Sequence, residues 1–347
     1  MITLYPLKFE LNLFELVWGG SRLKPFKGLP SNLDDKIGES WEISAVPGRE
    51  SVISNGPLKG KTLNDLIGTY GDLLLGKTVS SLYGTKFPLL VKFIDAAEDL
   101  SIQVHPNDEL AQSRHGCFGK TEMWYVMDAV PDAKLYCGFK TPISKYEYQK
   151  RIEDNSICDV LQEYSVSKGD VFFIPAGRVH AICGGSLVAE VQQSSDVTYR
   201  IYDYGRLDLN GEPRVLHTDL AVDAINYAVS DTNKTYYEKK LNKPVCVAEC
   251  QFFTVKLLDI NRGFHRKLYK YDSFIIYMCL QGNCTIEVLS SRGYEGEGKP
   301  EVTKISLTVG NSCLIPASVA DVMIVPDNLA STTKLLEVYI DNKHFNK

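Results

Sequence analysis

The sequence predicts a mainly β protein, with two jelly-roll barrels in tandem and helices added to the first barrel. Most of the chain consists of short apolar runs interrupted by Gly, Pro and Asn, which is typical of antiparallel strands joined by turns. At 347 residues the chain exceeds the size at which a single core usually keeps growing. One short segment also recurs, as expected for two similar barrels in succession.

The recurring segment is Gly-Asp-Val-Phe-Phe-Ile-Pro-Ala at residues 169–176 and Gly-Asn-Ser-Cys-Leu-Ile-Pro-Ala at residues 310–317. In both copies a glycine turn leads into a strand that ends at Ile-Pro-Ala. Continued without gaps, the alignment places Asp321 opposite His180, and the sequence before the second copy contains no Gln-x-His strand. We therefore expect the second barrel to have kept the fold and lost the side chains that His180 and the Gln-x-His strand provide in the first.

A polar segment at residues 227–244 is the predicted linker between the barrels. It divides the chain into an N-terminal domain, residues 1–240, with helical insertions, and a C-terminal domain, residues 241–347. Helical periodicity is found in three segments: 61–75, 143–161 and 217–229. The first begins with Thr62 and has Asp65 three residues later, which is the pattern of a capping box.

Composition narrows the possible functions. A net charge of -5 and the absence of a long Lys/Arg run argue against a nucleic-acid partner, although a local cationic pocket stays possible. The N-terminus lacks a basic leader and the apolar runs are too short for a membrane helix, so we expect a cytoplasmic protein without membrane contact. Nine scattered cysteines without a CxxC pair fit reduced thiols in that compartment.

The strongest functional signal is a set of potential metal ligands. Gln103 and His105 lie two apart in a strand-like run, so their side chains leave the same face. Glu122 begins an apolar run, where an unpaired carboxylate would be costly and metal ligation would remove that cost. His180 follows the first Ile-Pro-Ala turn. All four candidates fall in the N-terminal domain, so we expect that domain to bind the metal and the C-terminal domain to lack metal ligands. Three or four such ligands with room for one more are typical of a catalytic zinc site, although Gln103 could instead position a water or a substrate hydroxyl.

Four motifs in order resemble type I mannose-6-phosphate isomerase of the cupin superfamily, in its short bacterial form. They are Ser-Ile-Gln-Val-His-Pro at 101–106, Gly-Lys-Thr-Glu-Met-Trp at 119–124, Ile-Pro-Ala-Gly-Arg-Val-His-Ala-Ile at 174–182 and Gln-Gln-Ser-Ser-Asp-Val-Thr-Tyr-Arg at 192–200. Val-Trp-Gly-Gly at 17–20 and Glu-Ser-Trp-Glu-Ile-Ser at 39–44 extend the likeness. The resemblance implies a cupin fold, one zinc ion per chain and a sugar phosphate substrate.

The resemblance also implies that Lys92, Ser101, Lys120 and Arg200 bind the substrate. A cationic and hydroxylic pocket beside a metal suits a sugar phosphate. Lys92 lies in an otherwise apolar run, where a lysine could instead extend to solvent. Ser101 and Lys120 each lie two residues before a predicted ligand, and therefore share its face of the strand.

Arg200, Glu190 and Lys120 are the catalytic residues that the resemblance implies. Glu190 follows apolar residues, so its carboxyl could have a raised pKa and act as a base. A zinc-bound water and Lys120 are the competing candidates for the base. Arg200 could also be a surface residue paired with Asp203 or Asp196.

We therefore predict a zinc-dependent aldose-ketose isomerase that interconverts mannose 6-phosphate and fructose 6-phosphate through an enediol. Two alternatives use the same residues. His105, Glu122 and His180 would also serve as the two-His, one-carboxylate triad of a non-haem iron oxygenase, and a metal-bearing cupin could be a non-catalytic sugar-binding protein. The cationic residues named above favour a phosphorylated ligand. The oligomeric state, the physiological metal and the strictness for mannose stay open.

Overall fold

The computed structural model describes residues 2–33, 35–291 and 303–345. The described residues are mainly β, with 39% in strands and 18% in helices, which confirms the predicted class. The first-half strands are β1 (Leu7–Lys8), β2 (Leu13–Gly20), β3 (Ile37–Ile43), β4 (Leu89–Ala96), β5 (Ile102–Val104), β6 (Glu122–Ala129), β7 (Lys134–Phe139), β8 (Leu161–Ser165), β9 (Val171–Ile174), β10 (His180–Ile182), β11 (Ser186–Gln193), β12 (Tyr199–Tyr202) and β13 (Lys234–Thr235). The second-half strands are β14 (Val245–Glu249), β15 (Thr254–Ile260), β16 (Phe264–Lys267), β17 (Ile275–Gln281), β18 (Cys284–Ser291), β19 (Lys304–Leu307), β20 (Ser312–Ile315), β21 (Val319–Pro326) and β22 (Thr333–Tyr339).

Helices are short and lie mostly in the first half. The α-helices are α1 (Leu23–Lys27), α2 (Leu63–Tyr70), α3 (Asp72–Leu75), α4 (Lys77–Tyr83), α5 (Asp108–His115), α6 (Lys145–Glu153) and α7 (Thr218–Ala224). Single 3-10 turns occur at Gly56–Leu58, Ile157–Val160, Leu268–Lys270 and Asn342–His344. Within the described ranges, none of the helices combines the length and hydrophobicity needed to cross a membrane.

The predicted helical segments form helices that are shorter than expected. Thr62 and Asp65 make the reciprocal bonds of the predicted capping box at the start of α2. Gly71, at a φ of 43°, separates α2 from α3, because this backbone conformation interrupts a helix and favours glycine. The second predicted segment contains α6 followed by a 3-10 turn, and the third contains α7. The sequence pattern did not predict α5, which lies between two of the candidate metal ligands.

The strands of the described chain form four antiparallel sheets, two from each half. The first half contributes a seven-stranded sheet, β13-β9-β6-β11-β4-β2-β3, and a five-stranded sheet, β12-β5-β10-β7-β8. The second half contributes the order β20-β17-β22-β15 within a six-stranded sheet that also contains β1 and β14, and a four-stranded sheet, β16-β21-β18-β19. The orders β9-β6-β11-β4 and β5-β10-β7-β8 therefore recur in the second half, and the sequence repeat falls on β9 and β20.

Strand pairing shows which residues of the second half correspond to two of the candidate metal ligands. Gln103 on β5 pairs with His180 on β10. The corresponding inward-facing pair is Arg266 on β16 and Val322 on β21, and Val322 is fully buried. The second half thus has a guanidinium and an apolar side chain where the first half has an amide and an imidazole.

The ungapped alignment of Asp321 with His180 is wrong by one residue. Asp321 lies next to Val322 along β21, on the opposite face, and its carboxylate is 3.3 Å from the imidazole of His265. The pairing of β21 with β18 shifts register beside Ser290, whose hydroxyl donates to Asp321 at 2.7 Å. Because side chains alternate along a strand, this irregularity brings a different residue to the interior.

The two halves are joined through extensive contacts. Strand β1, from the N-terminus, pairs with β20 in the second half. The carboxylate of Asp272 accepts hydrogen bonds from the backbone N–H groups of Lys77 and Thr78 at the start of α4. The largest hydrophobic cluster also contains residues from both halves, including Phe87 and Phe274, whose ring centroids are 4.7 Å apart. The division into domains at residue 240 stays a prediction.

Candidate functional site

Three of the predicted ligands meet in the interior of the first half. His105 directly follows β5, Glu122 begins β6 and His180 begins β10, so the two sheets bring them together. Their potential ligand atoms all lie within 4.8 Å of one another, and all three residues are buried. Glu122 Oε2 is 3.4 Å from His105 Nε2, and Glu122 Oε1 is 3.2 Å from His180 Nε2.

Backbone carbonyls determine which imidazole nitrogen faces the carboxylate. His105 Nδ1 is 3.1 Å from the carbonyl oxygen of Val197, and His180 Nδ1 is 2.7 Å from that of Arg178. A carbonyl oxygen only accepts, so each Nδ1 carries a proton and donates it. Burial and the charge of Lys120 lower the pKa of His105 to about 3, so its Nε2 carries a lone pair.

Glu122 cannot donate to either Nε2 atom, because an ionised carboxylate has no proton to give. Burial disfavours its charge, but Lys120, with its Nζ 2.9 Å from Oε2, outweighs burial and holds the pKa of Glu122 well below its usual range. Neither of these buried oxygens receives a well-directed hydrogen bond from the described part of the chain. Two imidazole Nε2 atoms and two carboxylate oxygens thus converge, with the Lys120 ammonium beside them, 3.0 Å from His105 Nε2. A divalent cation would complete this arrangement, and the Nδ1–H bonds are of the kind that orient metal-binding histidines.

Gln103 lies beside this cluster. Its Nε2 is 3.3 Å from His180 Nε2, so the amide nitrogen donates to the imidazole lone pair. Binding of a metal by Gln103 would require its oxygen to turn toward the cluster. Its role as a fourth ligand stays a prediction.

A cavity of about 370 Å³ opens next to the cluster of His105, Glu122 and His180. This volume is typical of small-molecule sites. The candidate substrate and catalytic residues all line it, and they come from five separate parts of the chain. They are Lys92, Ser101, Lys120, Glu190 and Arg200, with Gln103 beside them.

The charges at the base of this cavity are coupled. Lys120 Nζ lies 2.9 Å from Glu122 Oε2 and 4.0 Å from Glu190 Oε1. Burial opposes the charge of Lys120, but the two carboxylates raise its pKa, so it stays an ammonium. Burial and the negative charge of Glu122 raise the pKa of Glu190 to about 7. Lys120 is therefore a permanent cation beside a carboxyl group that titrates near neutral pH.

Several residues that the sequence motifs did not single out also line this cavity. They are Glu39, Trp41, Arg49, Asp196 and Arg214. Glu39 Oε2 accepts a hydrogen bond from Trp41 Nε1 at 2.6 Å and lies 3.4 Å from Lys92 Nζ, which sits 4.7 Å from the centroid of the Trp41 ring. Glu39 and Trp41 are two residues apart in one of the motifs that carry the resemblance. The alternation of side chains along a strand could therefore have placed both on one face.

The structure excludes the surface ion pairs suggested for Arg200. Its Nη1 donates to the carbonyl oxygen of Val215 at 2.8 Å. Asp203 is instead paired with Arg214 at 3.1 Å, and Asp196 with Arg49 at 3.3 Å. Arg200 is thus directed toward the cavity rather than neutralised at the surface.

Comparisons with known proteins identify the family. Residues 6–141 match the family described as phosphomannose isomerase type I, catalytic domain. The chain is 39% identical to the mannose-6-phosphate isomerase of Streptococcus mutans, over 82% of this chain and 87% of that protein. It is 35% identical to a mannose-6-phosphate isomerase of Bacillus subtilis, over 81% and 87% respectively. This chain belongs to the mannose-6-phosphate isomerase family.

Solved structures agree with this membership. The crystal structure of the mannose 6-phosphate isomerase from Bacillus subtilis matches with a TM-score of 0.82 at 32% identity, over 96% of this chain and 99% of that chain. A phosphomannose isomerase variant from Salmonella typhimurium shares the fold, with a TM-score of 0.74 at 16% identity, over 97% and 99%. The resemblance inferred from the motifs is confirmed, and so is the prediction of an isomerase.

Proposed function

We propose that the chain interconverts mannose 6-phosphate and fructose 6-phosphate, with one zinc ion held by His105, Glu122, His180 and Gln103. The observation that carries this proposal is the buried convergence of two imidazole nitrogens and a carboxylate at one end of a cavity lined by cationic groups. Zinc accepts this combination of ligands. When bound, it supplies a Lewis acid for the substrate oxygens on which negative charge develops.

We also propose that the two halves are tandem cupin barrels, of which the first is catalytic. The recurrence of the same strand orders supports this view, as does the replacement of the ligand pair by Arg266 and Val322. Residues 1–240 then form the catalytic domain and residues 241–347 a domain without metal ligands. The contacts between the halves make the second barrel a structural support for the first.

The substrate is bound as an anion. Lys92, Lys120 and Arg200 bring positive charge to the cavity, and Ser101 brings a hydroxyl that can hydrogen-bond a phosphate or sugar oxygen. Charge-assisted bonds of this kind also orient the reacting carbons, so the phosphate contributes to turnover as well as to binding. Lys120 lies 3.0 Å from His105 Nε2, so we assign it to the reacting end of the sugar.

Glu190 is the proposed base. It is buried in the cavity wall, and its Oε1 has no hydrogen-bond partner among the residues that the structure describes. Its carboxylate takes the proton from C2 of the open-chain aldose and returns it to C1, while the hydroxyl proton on O2 moves to O1. Lys120 and Arg200 stabilise the negative charge on these oxygens in the enediol-like transition state. Lys120 is less suited as the base, because the neighbouring carboxylates keep it protonated.

An assay for fructose 6-phosphate formation from mannose 6-phosphate, combined with metal analysis, tests the proposal. We expect about one zinc per chain and full turnover without oxygen, since an enediol route consumes none. If activity on any sugar required dissolved oxygen and iron, His105, Glu122 and His180 would be an iron triad and the proposal would fail.

A further inference from the structure

The segment between β12 and α7, residues 203–217, folds back onto Arg200 and contacts it in three places. We call this segment the strap. Arg200 Nη1 donates to the Val215 carbonyl at 2.8 Å. The backbone N–H of His217 donates to the Arg200 carbonyl at 2.7 Å, and the backbone N–H of Arg200 donates to His217 Nδ1 at 3.2 Å. Both backbone groups and the guanidinium of Arg200 therefore bond to the strap.

These bonds take the place of a second neighbouring strand beside β12. Strand β12 is at the edge of the five-stranded sheet. Among the described strands it pairs only with β5, where Arg200 lies opposite Gln103. The N–H and C=O of Arg200 point away from β5, and His217 pairs with both of them. An unpaired strand edge would leave the position of Arg200 poorly determined. His217 instead hydrogen-bonds to the backbone of Arg200, as a neighbouring strand would.

The imidazole of His217 must be neutral to make this contact. A backbone N–H only donates, so Nδ1 presents a lone pair and the ring proton is on Nε2. Burial and the charges of Arg200 and His115 lower the pKa of His217, which favours this neutral form.

Helix α7 holds His217 in place. His217 is the residue that precedes the helix, and its carbonyl accepts the first helical hydrogen bond from Ala221. Arg114 Nη2 binds the Asp223 carboxylate in this helix at 2.6 Å, and the hydroxyl of Tyr148 donates to the carbonyl of Thr218 at 3.1 Å.

The other end of the strap is also tied down. The buried carboxylate of Asp203 binds Arg206 at 2.6 Å and Arg214 at 3.1 Å. Arg206 Nη1 further donates to the carbonyl oxygen of Asp99, at 2.6 Å. The strap is thus fixed at both ends, so its contacts can hold Arg200 in one position.

We propose that His217 is a positioning residue, which acts on the reaction by holding the backbone of Arg200 so that its guanidinium enters the cavity in one orientation. The inference rests on the proposed function, in which Arg200 stabilises the transition state. His217 does not line the cavity and makes no contact with substrate in this scheme. Its effect on turnover must therefore pass through Arg200.

Two substitutions separate positioning from general stability. In His217→Leu the acceptor for the Arg200 N–H is lost, whereas in His217→Asn the amide oxygen can accept in place of Nδ1. We expect His217→Leu to lower kcat on mannose 6-phosphate by about 10- to 100-fold, since small displacements of catalytic groups have effects of this size. KM and zinc content should change little, and His217→Asn should recover most of the loss. His265→Leu, which removes an imidazole from β16, is the matched control and should keep the wild-type kcat.

A double-mutant cycle with Arg200→Ala tests the route of the effect. If His217 acts through Arg200, His217→Leu should leave kcat nearly unchanged once Arg200 is alanine. Equal fold losses in both backgrounds, or a wild-type kcat in His217→Leu, would overturn the proposal.

Hydrogen exchange gives a readout that does not depend on turnover. The amide proton of Arg200 should exchange faster in His217→Leu than in the wild type, and at a near wild-type rate in His217→Asn, as measured by mass spectrometry on a peptide that contains β12. Unchanged exchange in His217→Leu would refute the positioning contact. A wild-type protein that exchanges as expected but does not isomerise mannose 6-phosphate would instead refute the proposed function.

Discussion

Replacing Arg266 by Met should destabilise the fold by about 3–4 kcal/mol at pH 7, the usual size of a broken buried ion pair, and leave the metal site intact. Glu337 on β22 pairs with Tyr277 on β17, at the position where Glu190 pairs with Trp124 in the first half. Glu337 is fully buried. Arg266 binds its two oxygens at 2.7 and 2.5 Å, and the hydroxyl of Tyr277 donates to it at 2.9 Å.

The magnitude follows from the state of the Glu337 carboxylate after its partner Arg266 has been removed. Without Arg266 it can avoid a buried, unpaired charge by binding a proton. A glutamate has an ordinary pKa of about 4.3 and each pH unit is worth about 1.4 kcal/mol, so protonation at pH 7 costs about 3.7 kcal/mol. At pH 5 the same step costs only about 1 kcal/mol. Above pH 4.3 the unfolded variant has released the proton of this carboxyl group, so the variant must take up a proton when it folds. Its loss of unfolding free energy relative to the wild type therefore grows as pH rises.

Urea unfolding of the wild type and of Arg266→Met at pH 5 and pH 7 measures this deficit. The double variant Arg266→Met/Glu337→Met should recover most of the stability, since replacing both partners by apolar residues leaves no buried, unpaired charge. Lys134→Met, which breaks the exposed pair with Glu163, is the control and should cost less than about 1 kcal/mol. A deficit below about 1 kcal/mol at pH 7, or one that does not change with pH, would refute the reasoning.

Further predictions concern the catalytic half. His180→Ala should lose both zinc and activity, whereas His265→Ala should keep both; full zinc occupancy in His180→Ala would remove His180 from the site. Arg200→Ala should keep its zinc and lose about 10²- to 10³-fold in kcat, as when one charge-stabilising donor is removed, and near-normal kinetics would contradict that role. Because burial raises the pKa of Glu190 to about 7, kcat/KM should fall as pH is lowered through that range, and Glu190→Gln should abolish turnover at every pH. Free mannose should be a very poor substrate, and Lys92→Met should lower kcat/KM on mannose 6-phosphate much more than on mannose.

The sequence alone was sufficient wherever the signal was local. Thr62 and Asp65 form their capping box because both partners lie within one helical turn. The two-residue spacing of Gln103 and His105 placed them on one side of β5, and the repeated Ile-Pro-Ala segment marked equivalent strands in the two halves. The candidate ligands were also found this way, since each belongs to a short motif with a limited choice of neighbours.

Only the tertiary structure decided the contacts between distant segments. An irregular pairing beside Ser290 brings Val322 rather than Asp321 to the interior, and a one-residue displacement of this kind cannot be read from an ungapped repeat. Glu39 faces Lys92 because β3 pairs with β4, and His217 bonds to the backbone of Arg200 because the strap folds back. The physical reason is the same in each case. Local sequence determines conformation over one turn or one strand, whereas register and side-chain partners are selected by the packing of the whole chain.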